Sequence, residues 1–140
     1  MIVRVINLDI KQPIDFVTPI ENLGGQRSLF ITMLKRLEVM SLTSCLNQVA
    51  EGLNARDWLK MKQGAHQLKG ASGYVGAGRV HYICYHIQNA YQEEQFDTMV
   101  YYYPFLVEYS IEFKRFSRKY LAELKGKSPL TIHNFTYIAS

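Results

Sequence analysis

The chain has 140 residues, a length that suits one domain around one core. Apolar residues make up 48% of it, which excludes a disordered, polar chain. Its 16 Lys+Arg against 12 Asp+Glu leave a formal charge of +4, which suits an acidic protein partner as well as nucleic acid. No long tract of like charge occurs, and the densest basic cluster (Lys114, Arg115, Arg118 and Lys119) reads as the solvated face of a helix. Cys45 and Cys84 lie far apart, make no metal spacing and read as core thiols of a cytosolic chain. No apolar run reaches the roughly 18 residues of a membrane span. The apolar start, Met1 to Asn7, is too short for a signal peptide and has no small-residue cleavage site.

In chain order, residues 1–12 read as an extended arm, and Pro13 and Pro19 fit a loop or the first turn of a short helix toward Leu23. From Gln26 a helical period begins: Phe30, Met33, Leu37 and Met40. The phase shifts near Ser41 and resumes with Leu42, Leu46, Val49 and Leu53, so this is one bent helix or two end to end, closed at Gly52 and Asn54. Asp57 is placed to cap the next helix, whose stripe of Trp58, Met61, Ala65, Leu68, Ser72 and Val75 is the seam of a helical bundle. After the break at Gly76, Ala77 and Gly78, a further helix carries Val80, Ile83, Cys84, Ile87 and Tyr91. Asp97 and Thr98 are cap candidates for the last helix, where Met99, Tyr102, Leu106, Tyr109, Phe113, Phe116, Tyr120 and Leu124 recur like a heptad. Pro104 lies inside that pattern and should kink it, and Gly126 and Pro129 should stop it. The expected fold is all-α, an antiparallel four-helix bundle with an additional short N-terminal helix. The expected divisions are an arm (1–12), the bundle (13–126) and a tail (127–140).

His66 lies on the order of 140° from the centre of the buried stripe, so its ring should face solvent. Lys62 lies one turn back, Lys69 and Gly70 one turn on, and Gly73 two turns on. Glycine inside a helix costs about 1 kcal/mol against alanine, and two on one exposed face imply that something must come close there, another backbone or an active-site loop. Neutral imidazole is a nucleophile near pH 7, and a nearby ammonium offsets charge on a transferred phosphoryl group.

The segment His66, Lys69, Gly70, Ser72 and Gly76, at these offsets, resembles the phosphohistidine motif of histidine-containing phosphotransfer (HPt) domains, the carriers of two-component phosphorelays. The likeness extends upstream to Glu21, Asn22, Leu23, Gly24 and Gly25 and to Asp57 and Trp58. Downstream, Gly76, Gly78, Arg79, Val80, Cys84, Ile87, Gln88 and Asn89 look like the members from yeasts and plants, and the whole covers roughly Leu23 to Leu124. The resemblance implies that His66 accepts and donates the phosphoryl group, that Lys69 steadies it and that Gly70 makes room for the receiver domain. It implies that Gln88 bonds to the histidine or to the phosphoryl group. Ser72, on the buried stripe, is expected to bond within the bundle, and Arg79 to make a surface or interhelical contact. The chain departs from many relatives at Ala71, where they have serine, and from some at Gln92, where they have a basic residue.

Three other classes stand beside this one. A histidine kinase needs an ATP-binding domain for which the chain has no room, and Gly126, Lys127 and Ser128 lack the rest of a Walker motif. His66, His81, His86 and His133 form no i,i+4 pair for a metal enzyme. A helical adaptor that binds receiver domains without accepting phosphate remains the alternative. The expectation is therefore a phosphoryl carrier, not an enzyme, with His66, Lys69 and Gln88 in the chemistry and Lys62, Gly70 and Gly73 against the partner. The expected partners are response-regulator receiver domains and a hybrid histidine kinase, with no nucleic acid and no membrane. No cofactor or metal is expected beyond Mg2+ in the partner receiver domain. The expected state is a cytoplasmic monomer, with the nucleus also open to it if the cell is eukaryotic.

Overall fold

The periods read from the sequence become helices close to where they were marked. The computed structural model describes Ile20, Glu21 and residues 23–125. Five α-helices follow one another: α1 (Arg27–Arg36), α2 (Leu42–Ala55), α3 (Trp58–Tyr74), α4 (Gly78–Gln92) and α5 (Phe96–Lys125). No strand occurs among the described residues. The arm (1–12), residues 13–19 of the expected short N-terminal helix and the tail (127–140) lie outside them, as do Gly126 and Pro129.

The phase shift near Ser41 takes the form of one π-helical turn, Leu37–Ser41, that joins α1 to α2. Phe30, Leu34 and Leu37 are buried at helical spacing, and the next buried apolar residue is Leu42, five positions on. A π turn absorbs that extra residue without ending the helix. It also corrects the expected stripe. Met40 is 64% exposed and Val39 68%, whereas Glu38 is turned inward, where its Oε1 accepts a bond from Arg118 Nε of α5 at 2.6 Å.

α2 closes on Arg56 in the left-handed region, φ 56°. Gly52 lies within the last turns of α2 rather than after it, for a packing reason: a Cβ there would stand 2.5 Å from the backbone N of Met61. Gly64 does the same from α3, where a Cβ would stand 2.9 Å from Val49 Cγ2. Asp57 caps α3 as expected, accepting from the Lys60 backbone N–H at 3.1 Å. α5 starts at Phe96, so Asp97 sits inside its first turn, where a carboxylate complements the helix dipole rather than capping it. Pro104 is exposed and the helix runs through it to Lys125.

α2 packs on α3, α3 on α4 and α4 on α5, with short turns between, which makes successive helices antiparallel. With α1, the π turn and α2 counted as one long helix, this is the four-helix bundle. Met99, Leu106, Phe113 and Tyr120 are all buried and form the spine of α5. Trp58 and Phe96 stack at 5.4 Å, which ties the start of α3 to the start of α5. Cys45 and Cys84 are free and buried, and burial pushes both thiols up from their ordinary range. Among the described residues, no helix is long and apolar enough to cross a membrane.

Candidate functional site

α3 buries Met61, Gly64, Ala65, Leu68 and Ser72, and the opposite side of the same helix carries His66, which is exposed. One turn on, Gly70 is exposed, and a Cβ added to it would meet nothing within 4 Å. The ring therefore stands on an open stretch of helix.

Antiparallel packing sets what lies beside it. Along the α3–α4 seam, Lys62 Nζ lies over the Tyr91 ring at 5.6 Å, and Lys69 Nζ over the Tyr85 ring at 5.9 Å. Between them, Gln88 Nε2 is 2.9 Å from Nδ1 of His66. Gly73 faces His81, whose ring would stand 3.0 Å from a Cβ at that position. Each step up α3 is matched by a nearly equal step down α4, so four pairs form one ladder along the edge of the seam. Lys69, Tyr85, Gln88, Asn89 and Gln92 line a shallow depression beside the imidazole.

The His66–Gln88 contact engages Nδ1 of a ring that is otherwise on an exposed residue. Gln88 Oε1 is buried and bonds to nothing among the described residues, so no second bond holds the amide in one orientation. Amide oxygen and nitrogen are nearly equal in size, and the side chain can present either to Nδ1. It can accept from an Nδ1–H or donate to an unprotonated Nδ1.

Ser72 Oγ donates to the Lys69 carbonyl at 3.2 Å, within the bundle, as its place on the stripe implied. Arg79 pairs with Glu112 of α5 at 2.5 Å and lies over the Tyr109 ring, an interhelical contact. Gly73 differs from expectation. The space its missing side chain leaves is taken by His81 of the same chain rather than left open. Tyr85 has no mark in the sequence, Tyr91 reads there only as a stripe residue and His81 only as a histidine outside any metal spacing. Once His66 and Gln88 are taken as opposite each other on antiparallel helices, counting outward from that pair finds all three. His86 turns the other way, among the rings of Tyr82, Tyr85 and Tyr102. No group of three metal-ligating side chains occurs among the described residues.

Searches of curated proteins and of solved structures each returned no match. Residues 34–101 match the family model of the Hpt domain. The matched stretch runs from the end of α1 into α5, and it contains all of α3 and α4 with His66, Lys69 and Gln88. Hpt domains are phosphocarriers rather than kinase domains, and they work with receiver domains in two-component phosphorelays. The helical bundle and this match together support an Hpt-domain protein and imply a role in phosphotransfer.

Proposed function

We propose that the protein is a phosphorelay intermediate, in which His66 accepts a phosphoryl group from the aspartate of one receiver domain and donates it to another. The observation that carries this reading is an exposed imidazole held through Nδ1 by Gln88 at 2.9 Å, within the Hpt match and one turn from Lys69.

The step follows from the ring's two nitrogens. When Nδ1 carries the proton and Gln88 presents Oε1 to it, Nε2 holds its lone pair toward solvent. That lone pair attacks phosphorus, the N–P bond forms and the P–O bond to the aspartate breaks. The bonding electrons return to the aspartate as carboxylate, and the ring keeps its Nδ1 proton, held by the amide. Donation is the same step reversed onto a second carboxylate. Such transfer is mostly positioning and charge neutralisation. Lys69 neutralises charge on the phosphoryl oxygens, and Gly70 leaves clearance for the receiver's loops. Lys62 and the net charge of +4 favour approach to an acidic pocket. The reactive aspartate and its Mg2+ belong to the partner, so the bundle needs no cofactor of its own. The working form is a monomer in transient complexes, since a relay must release its partner.

Transfer from a labelled phospho-receiver domain, with His66→Gln run beside the wild type, tests this. Acid-labile, base-stable label on the wild type only is the expected result. Label that survives in His66→Gln would remove the assignment. Binding without label would favour the adaptor.

A further inference from the structure

We propose that His81 is a positioning residue for phosphoryl transfer, acting through the backbone carbonyl of Lys69 from a slot that Gly73 leaves open. This rests on the carrier reading above and extends it to a residue that does not touch the phosphoryl group.

His81 Nδ1 lies 2.9 Å from the Lys69 carbonyl oxygen. A carbonyl has no proton to give, so Nδ1 carries the hydrogen and donates, and the tautomer is determined by its partner. Protonation of the ring at Nε2 would leave that bond in place. The same carbonyl accepts from Ser72 Oγ, so it is held from its own helix and from α4 at once. The ring is half-buried, and burial holds its pKa below the ordinary imidazole value.

Gly73 makes this geometry possible. A Cβ there would stand 3.0 Å from His81 Nδ1 and 3.2 Å from Cε1, closer than most Cβ contacts, so the ring would have to give way by a few tenths of an ångström. A glycine weakens a helix interior, and here the missing methyl lets a ring from the next helix reach the α3 backbone. Lys69 carries its ammonium on a long flexible stem. Fixing the carbonyl fixes the root of that stem, one turn from His66 and against Tyr85. Less freedom at the root means less to lose when the ammonium settles on the phosphoryl oxygens.

The test is phosphoryl transfer from a phosphorylated receiver domain to the full chain, with rate at saturation and KM read separately. His81→Phe keeps the ring and removes the donor, whereas His81→Asn puts an amide N–H near the place of Nδ1–H. His81→Phe should slow transfer about three- to tenfold with KM for the receiver unchanged. His81→Asn should stay within about twofold of wild type, and Gly73→Ala should behave like His81→Phe. On a Lys69→Ala background, His81→Phe should slow nothing further, because the group it positions is gone. An equal loss on both backgrounds would mean a merely structural role and overturn the inference, as would wild-type transfer in His81→Phe. Should His81→Phe fail to fold, slow transfer in Gly73→Ala with near-normal His81→Asn supports the inference, and equal rates in the two overturn it. A wild type that takes no label would remove the carrier reading and this role together.

Discussion

Helix α4 makes two seams, and along them His66 of α3 and His86 of α4 are held in opposite ways. On the α3–α4 seam, His66 faces solvent with a single amide at Nδ1, and cationic side chains lie on tyrosine rings above and below it. On the α4–α5 seam, His86 stacks on Tyr102 at 5.2 Å and meets Tyr82 edge-on at 4.4 Å. Its Nε2 is buried and has no hydrogen-bond partner among the described residues. Burial lowers the His86 pKa, which keeps the ring neutral and apolar in behaviour. An imidazole becomes reactive by having one nitrogen held and the other open. A ring enclosed by aromatics serves as packing.

The comparison breaks most directly at the two histidines themselves. His66→Gln should abolish phosphoryl labelling and leave the unfolding free energy from urea titration within about 0.5 kcal/mol of wild type, as an exposed substitution does. His86→Gln should label like the wild type, and loss of label there would put the chemistry on the wrong seam.

On the packing side, Leu106 is fully buried in the α5 spine. Leu106→Ala should lower unfolding free energy by about 2–5 kcal/mol in urea titration. Transfer by the remaining folded protein should stay close to normal. A smaller change would mean that α5 is not held by this spine.

Gln88→Ala tests the amide. It should slow transfer to His66 about two- to tenfold, the worth of one hydrogen bond, with no change in melting temperature. An unchanged rate would show that the ring's orientation does not depend on Gln88.

The smallest effect is a slope with pH. The folded pKa of His86 lies below that of the unfolded chain, so between the two values the unfolded state binds more protons. Stability from this group is complete above the ordinary imidazole range and declines as pH falls through it toward the lowered value. His81 contributes in the same direction. Thermal melts at about pH 7.5 and about pH 5.5 should show the wild type losing stability on acidification, and His86→Phe losing less. Equal losses would mean that His86 is not sequestered from protons.

Periodicity made much of this legible. The stripe from Trp58 to Val75 placed His66 outside before any packing was known, because a helix turns by a constant angle per residue. The heptad through Met99, Leu106, Phe113 and Tyr120 likewise named the α5 spine. Gly52 and Gly73 take their meaning from the fold for one shared reason. A glycine marks the end of a helix, an open surface or a close approach, and only the neighbour across the seam tells these apart. Met61 lies across from the first and His81 across from the second. Met40 follows the apolar period of α1, and the π turn carries it outward.

By itself, the sequence determined the helices, their inward faces and an exposed His66 with Lys69 and Gly70 beside it, because all of these follow from local geometry and spacing along one chain. The tertiary structure decided the register of α3 against α4. That register puts Gln88 on Nδ1, tyrosine rings under the lysines and His81 on the Lys69 carbonyl. Register is a relation between two helices, set by where their side chains and glycines interlock, and no period within either helix contains it.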